Sequence, residues 1–497
     1  MSTSNDGIIR GDSRMLTYQD LARASDRPAT VLAAIRQHQS SRAFRCALDA
    51  DQYDRQRNVT VRRYVQTIFD LTGSKLVDFT ASNARICSNF FHRLNTQRVM
   101  YSLGQGVSFI GPDEDGDDTT KAMLGPHFDR DLVDLAYLAL IHGVSFGFWN
   151  LDRLYVFPLT EFVPFWDERE GTLRAGARFW RLTPDDPMQV VLYEEDGYTR
   201  FVTRQYGSDE RSEWLVEAEA KRSYIEHVAV VPADGVEQVI AGENYSALPV
   251  VPMWGSRLHQ STLVGMRPAL DSYDLIRSGF ANDLQDCAQI YWTISNAGGM
   301  TDADLARFMD RLRLMHVAVV DSDEGQAVAP SVQEPPYAAR KQYLDDIRAQ
   351  IYEDFGALDV HTVAAGATND HIDAAYQPMD EEAADFEYQV SEFVQQVLAL
   401  MGVEDQPVFH RTRISNQAEQ VSMVVQEAQW LDQETILRKL PNIRPDEVPA
   451  ILDRLAAEEQ DRMGVAQSIA DGSFAQKARG ASPAPSDGGD GPEDGEE

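Results

Sequence analysis

The chain has 497 residues, 43% of them hydrophobic, enough for about two to four domains with folded cores. Its formal net charge of −34, from 79 acidic against 45 basic residues, has the wrong sign for a protein that grips DNA by neutralising phosphates. Three widely spaced cysteines, Cys46, Cys87 and Cys287, give neither a disulfide framework nor a zinc spacing and fit a reducing compartment, and no apolar run approaches the roughly 18 residues that cross a bilayer.

Residues 1–14 are polar and read as a flexible leader rather than a signal peptide, within an arm expected to be flexible as far as residue 40. Thr17-Tyr18-Gln19-Asp20 resembles a capping box that opens a short helix. A helix is expected over 29–50, carrying Val31, Leu32, Ile35, Phe44 and Leu48. Segment 51–63 is dense in arginine (Arg55, Arg57, Arg62, Arg63). Such a cluster can meet phosphate, but its acidic neighbours favour a solvated or interface segment. A helix over 83–101 follows, with Ile86, Phe90, Leu94 and Val99. The acidic turn 112–118 prompts a calcium reading, against which no Glu closes a twelve-residue EF-hand loop.

An apolar helix over 132–148 is expected to end in Gly143 and Gly147. The period then changes to that of strands, at 154–158, 162–166, 172–180, 190–194, 198–204 and 214–217. Asp196-Gly197 is a strong hairpin-turn signal and 168–171 is a second. An α+β region with an antiparallel meander is therefore predicted over 130–255.

The stretch 248–299 organises the rest. A Pro-bounded strand at 248–254 leads into a long helix that reaches about Tyr291, with Met266, Leu270, Tyr273, Phe280, Leu284 and Cys287 at helical spacing. Pro268 suits its first turn and Gly298-Gly299 its end. A small module over 292–336 follows, with a helix at 301–315 and short strands at 316–320 and 328–330. A second long helix is predicted over 337–355, striped by Leu344, Ile347, Ile351 and Phe355. Residues 356–376 read as a loop that is long for a compact domain. Its His361 and His371 invite a metal or acid–base reading, for which no third ligand is evident. Asp380-Glu381-Glu382 then open a helix to Met401, stopped by Gly402; first-turn charge explains these carboxylates better than an acid–base pair. A strand at 408–414, helices at 416–431, 434–440 and 448–463, and an acidic, Pro/Gly-rich, disordered tail at 473–497 complete the chain.

The 248–299 stretch resembles the portal proteins of tailed double-stranded DNA phages. Ala269-Leu270-Asp271-Ser272-Tyr273 and Ser278-Gly279-Phe280-Ala281-Asn282-Asp283 are similar to that family's Leu-Ile-Asp-Ala-Tyr and Ser-x-x-x-Asn-Asp signatures. Tyr101-Ser102-Leu103-Gly104, Gly366-Ala367-Thr368-Asn369 and Leu440-Pro441-Asn442-Ile443 are looser matches, and the resemblance covers 40–460. It implies an α+β, portal-like fold: flexible arm 1–40, wing 41–261, stem helices 262–291 and 337–355, clip 292–336, tunnel loop 356–379, long wing-to-crown helix 380–415, crown 416–472 and tail 473–497. It also implies a ring of about twelve subunits at one capsid vertex of the virion, assembled in the host cytoplasm without a membrane. The implied partners are the terminase large subunit, head-completion or adaptor proteins, major capsid and scaffolding proteins, and double-stranded DNA in the channel. On this resemblance His361, Thr362, Thr368, Asn369 and His371 would face the DNA. Asp283, Arg340, Lys341 and Arg348 would make stem or ring contacts, with simple charge pairs between neighbouring stem helices as the plainer alternative. An acidic channel wall would keep like-charged DNA from sticking.

No Gly-x-x-x-x-Gly-Lys-Ser/Thr loop is present; Gly73-Ser74-Lys75 is a fragment of one. His-Glu-x-x-His, Cys-x-x-Cys and Gly-x-Ser-x-Gly are missing too, so neither an enzyme nor a cofactor or metal site is expected. Two rivals stay open. One is a metal-dependent hydrolase or nuclease using the carboxylates of 113–118 or 380–385 with Mg²⁺. The other is a non-viral ring scaffold.

Overall fold

The computed structural model describes residues 15–65, 67–69, 74–77, 82–111, 118–204, 213–230, 237–286, 291–294, 328–331, 337–359 and 369–411, with short runs between 421 and 457. The chain divides into two units, one formed by 1–360 with 376–413, the other by 361–375 with 414–497.

In the first unit Thr17 and Asp20 form the predicted capping box and open α1 (Tyr18–Arg23). The helix expected over 29–50 is two helices, α2 (Arg27–Ser40) and α3 (Arg42–Asp54). Ser41 adopts extended backbone between them, and its hydroxyl accepts from the Phe44 N–H at 3.1 Å, which caps α3. Leu21, Val31, Leu32 and Ile35 are buried with Val163, Phe165, Ala177, Val190 and Phe201 of the large sheet. Residues 15–40 are therefore part of the fold rather than a flexible arm, because they keep one sheet face from water.

Next come α4 (Val59–Arg63), the hairpin of β1 (Thr67–Phe69) and β2 (Lys75–Val77), α5 (Phe90–Leu103), β3 (Val107–Ile110), α6 (Asp118–Leu124) and α7 (Phe128–His142). Helix α7 stops earlier than its apolar run suggests. Gly143 takes φ +91° and accepts the role of helix stop, and 144–150 turns into a strand. That strand, β4 (Val144–Asn150), is buried on both faces, so it lacks the alternation that betrays a half-exposed strand. It lies between β13 (Val250–Trp254) and β5 (Arg153–Pro158). The predicted meander is a five-stranded antiparallel sheet of β6 (Phe162–Trp166), β7 (Leu173–Trp180), β8 (Gln189–Glu194), β9 (Gly197–Arg204) and β10 (Trp214–Arg222). Asp196-Gly197 makes the β8–β9 turn, with Glu194 opposite Gly197. A separate hairpin, β11 (Ile225–Val230) with β12 (Glu237–Glu243), follows.

The two long helices are α8 (Leu263–Asp286) and α9 (Tyr337–Phe355). The second has the predicted bounds. The first starts at Leu263, so Pro268 lies beyond its first turn rather than in it and leaves one helical carbonyl without its donor. It also ends sooner: Tyr291 belongs to β14 (Tyr291–Ile294), which pairs with β15 (Val328–Ser331), Ile294 opposite Val328. The helix at 301–315 and strand at 316–320 fall outside the described residues. Helix α10 (Asn369–Met401) runs 33 residues with Pro378 inside it, and Gly402 at φ +73° ends it as predicted. Its Phe386, Val390, Phe393 and Val397 pack on Leu132, Leu135 and Ala139 of α7. A last strand, β16 (Gln406–Phe409), pairs with β3. In the second unit α11 (Gln433–Lys439) is capped by Asp432, which accepts from the Thr435 N–H at 3.1 Å. No described helix is long and apolar enough to cross a membrane.

Two outcomes follow. A Cβ on Gly143 would sit 2.8 Å from the Gln260 carbonyl carbon at a positive φ. Gly143→Ala should therefore cost about 2 kcal/mol or more in denaturant unfolding, whereas Gly279→Ala, with open space around the added Cβ, should not. His38 is buried on α2 and donates from Nε2 to the Leu159 carbonyl at 2.8 Å. Burial lowers its pKa from 6.5 to about 4, so the folded ring stays neutral while the unfolded one gains a proton. Its contribution is present above pH 6.5 and is lost as pH falls toward about 4. Unfolding of wild type against His38→Gln should show up to about 3 kcal/mol of extra pH-dependent loss in wild type, and parallel curves would refute the assignment.

Candidate functional site

Helix α8 turns one polar face to the extended segment 82–89. Asn282 Oδ1 accepts from the Ala84 N–H at 2.6 Å, Ser278 Oγ from Ile86 at 3.0 Å, and Asp274 Oδ1 from Ser88 at 2.9 Å. Helix residues four apart rise about 6 Å and extended residues two apart advance about 6.6 Å, so the two repeats run in step. Ser278 also donates to the Ile86 carbonyl at 3.3 Å. Asp274, Ser278 and Asn282 are 2%, 5% and 6% exposed, so these bonds satisfy groups that water does not reach.

The same face continues toward the start of α8. Asp274 Oδ2 accepts from Asn58 Nδ2 at 2.9 Å, while Asn58 Oδ1 caps α4 through the Thr60 and Val61 N–H groups. Asp271 accepts from the Thr60 hydroxyl at 2.7 Å and from Tyr53. Arg267 bonds Asp49 at 2.8 Å. Burial pushes the Asp274 carboxyl above the ordinary range, against the bonds from Asn58 and Ser88. Burial first, and the bond to Asp271 second, push the Tyr53 phenol far up, so it stays a donor. One helix face thus fixes α3, α4 and 82–89 together.

The adjoining face packs on α9. Met266 and Leu270 meet Ile347, Ile351 and Phe355, and Phe280 stands edge-on to Tyr337 at 5.4 Å. Asp283 pairs with Arg340. Arg348 grips both oxygens of Asp359, at 2.9 and 2.8 Å, and lies over the Tyr352 ring. A cleft of about 400 Å³ opens between Val61, Tyr64, Arg85, Ile276, Gly279 and Arg340.

The sequence-predicted residues are distributed as follows. Asp283 and Arg340 come together inside one chain, as the plainer charge-pair alternative has it, and Arg348 is likewise engaged internally. Lys341 is exposed on α9. Asn369 and the exposed His371 lie on α10, so helix replaces the 369–379 part of the loop expected over 356–379. His361, Thr362 and Thr368 lie outside the described residues. Asp380-Glu381-Glu382 sit well inside α10 rather than in its first turn, and arginines explain Asp380 and Glu382 instead of the helix dipole. Asp380 accepts from the Tyr101 hydroxyl at 2.6 Å and pairs with Arg411 at 3.0 Å; Glu382 pairs with Arg98 at 3.0 Å and Asp385 with Arg257 at 2.5 Å. Carboxylates so occupied are poor metal ligands, and among the described residues no group of three His, Cys, Asp or Glu is placed to hold an ion. The acidic turn 112–117 falls outside the described residues. Sequence reading missed the role of Asp274, Ser278 and Asn282, whose signal was polar residues at every fourth position of an otherwise amphipathic helix.

Asn282→Ala should leave the Ala84 N–H without its acceptor and cost about 1–2 kcal/mol. Amide exchange should speed up at Ala84 and Ile86 while the five-stranded sheet keeps its protection; unchanged exchange at both would contradict the geometry.

The chain matches the family model "Phage portal protein, SPP1 Gp6-like" over residues 35–464. It is 23% identical over 429 residues to the portal protein of Clostridium phage phiCD119, covering 80% of this chain and 92% of that protein. It is 24% identical over 403 residues to the portal protein of Bacillus phage SPP1, covering 73% of each. Among solved structures it is similar to a chain in the neck of an empty gene transfer agent particle (9% identity, TM-score 0.43, 72% of this chain and 91% of that one). A chain in the native gene transfer agent virion is similar too (11% identity, TM-score 0.41, 72% and 90%). With both long helices, the sheets and the polar face of α8 inside the matched residues, the chain belongs to the SPP1 Gp6-like family of phage portal proteins.

Proposed function

We propose that about twelve copies of this chain close into a ring at one vertex of a phage head, around a channel that passes double-stranded DNA during packaging and ejection. The observation that carries this reading is the family match across 35–464. The arrangement of α8 and α9 supports it: two packed helices flank a small module whose ends are tied by β14 and β15. We read these helices as the stem, 292–336 as the clip, 41–261 as the wing, and 416–472 as the crown. The segment 356–368, carrying His361, Thr362 and Thr368, is read as the tunnel loop facing DNA, with Asn369 and His371 at its helical base. Lys341 is an exposed stem cation free to serve a ring or channel contact; Arg340 and Arg348 hold the stem together from within.

The clip end of such a ring would take the terminase large subunit during filling and head-completion or adaptor proteins afterwards. Its rim would meet major capsid and scaffolding proteins. The mechanism is mechanical and electrostatic. A wall of net negative charge offers phosphate no deep well, so DNA slides rather than sticks. The carboxylates offered to a nuclease reading, Asp380 and Asp385, are paired with Arg411 and Arg257, which favours the structural role.

Negative-stain microscopy with native mass measurement tests this directly. Rings with a central hole are expected, and twelve copies of the 55.7 kDa chain weigh roughly 670 kDa. A stable monomer that cuts DNA with Mg²⁺ would overturn the reading in favour of the hydrolase.

A further inference from the structure

Among the described residues many arginines are engaged in ion pairs, but four close in sequence are not. Arg55 and Arg57 follow α3, and Arg62 and Arg63 close α4; all four are exposed. Among the described residues none of their side chains has a hydrogen-bond or ion-pair partner. The chain then continues into Tyr64, Val65, Leu76 and Val77, which are 54%, 44%, 51% and 44% exposed at the base and second strand of the β1–β2 hairpin. A two-stranded hairpin is marginal by itself, so this corner presents both charge and exposed apolar surface to a partner.

Helix α9 presents the opposite case. Ile347, Ile351 and Phe355 face inward. Asp346 and Glu353, seven residues apart, share the opposite face, with Asp345 and Asp354 flanking them. These four carboxylates are exposed, and among the described residues they too have no hydrogen-bond or ion-pair partner. On α8 the polar residues that hold α4 and 82–89 and the apolar residues that meet α9 occupy faces roughly a third of a turn apart. The arginine corner and the acidic edge are thus held by different faces of one helix.

We propose that these two surfaces form the contact between neighbouring copies of this chain: the arginine corner and hairpin base of one copy dock on the acidic outer edge of α9 of the next. The inference rests on the ring reading above and names the surfaces that would close it. A contact between two different patches of one chain is heterologous, the kind that generates rings when the rotation closes. A second copy suits the corner better than DNA does, because phosphate contacts use the cations but leave the exposed Tyr64, Val65, Leu76 and Val77 uncovered. On a chain of net charge −34, unpaired arginines opposite unpaired carboxylates also fix which faces meet.

The test uses two full-length variants, Arg62→Glu/Arg63→Glu and Asp346→Lys/Glu353→Lys, read by native mass measurement and microscopy beside wild type. Each variant alone should lose rings, with association weakened at least about tenfold, because like charges then meet. Mixed in equal amounts they should regain rings, with the two variants alternating around an even number of copies. Every junction in that mixture pairs opposite charges, so rescue separates interface loss from misfolding. Rings from either variant alone, as in wild type, would overturn the proposal, and so would a mixture of folded variants that stays apart. Should a variant not fold, Arg62→Gln/Arg63→Gln with a salt titration replaces it; neutralisation that leaves the salt midpoint of wild-type rings unmoved would overturn the contact. Intact Arg62→Glu/Arg63→Glu rings that have lost DNA association would assign the corner to DNA instead. Wild-type monomers that cut DNA with Mg²⁺ would fail the earlier reading itself, whereas wild-type rings beside unchanged variant rings fail this contact alone.

Discussion

A helix climbs about 6 Å in four residues and an extended chain advances about 6.6 Å in two, and this near-equality is what α8 uses. Asn282, Ser278 and Asp274 meet the N–H groups of Ala84, Ile86 and Ser88 in turn, without either chain bending to keep step. The helix acts as a sheet edge for an extended segment. Because Asp274 also holds Asn58, and Asn58 caps α4, the same interaction sets where α3 and α4 lie. Removing it would leave buried donors unmet on two elements at once, which is costlier than losing exposed bonds of the same number.

Such a polar face stabilises less than an apolar one of equal area would, since every buried group must first give up water. Its value lies in register. An apolar stripe tolerates sliding, whereas three side chains that must each find a particular N–H do not. The adjoining apolar face supplies the adhesion, through Met266 and Leu270 against Ile347 and Phe355. Helix α10 repeats the division of labour: Phe386 and Phe393 pack, while Asp380, Glu382 and Asp385 take arginines from three other places in the chain.

The elements legible in the sequence were those whose periodicity survives burial. Helix α9 and strand β6 have the bounds expected of them, and the Asp196-Gly197 turn and the Gly402 stop lie where their residue types place them. Strand β4 was hidden because both its faces are buried, so its residues continue the apolar run of α7. The start of α10 was hidden by Pro378, which reads as an end of helix rather than its interior, although Ile372, Tyr376 and Met379 keep helical spacing across it. The break at Ser41 was missed because a helical stripe continues across it, and only the serine's capping bond to Phe44 marks it. At the site, Asp283 and Arg340 were singled out separately, but periodicity says nothing of which side chain meets which. The partners of Asp274, Ser278 and Asn282 lie about 190 residues away in sequence, and no local pattern reveals such pairings.

The charge balance makes one more demand on the architecture. Copies that each carry −34 repel at long range, but at physiological ionic strength that repulsion fades beyond roughly 8–10 Å. What decides association is therefore the few groups that face each other at contact, not the total. Pairing inside the chain removes many of the described cations from that competition: Arg27, Arg98, Arg257, Arg340, Arg348 and Arg411 all meet carboxylates of their own chain. An acidic conduit is compatible with self-association only if some cations are withheld from internal pairs and placed together on the surface. The corner after α3 and at the end of α4 is such a reserve, and its separation from the acidic edge of α9 gives the subunit a direction that a uniformly acidic surface would lack.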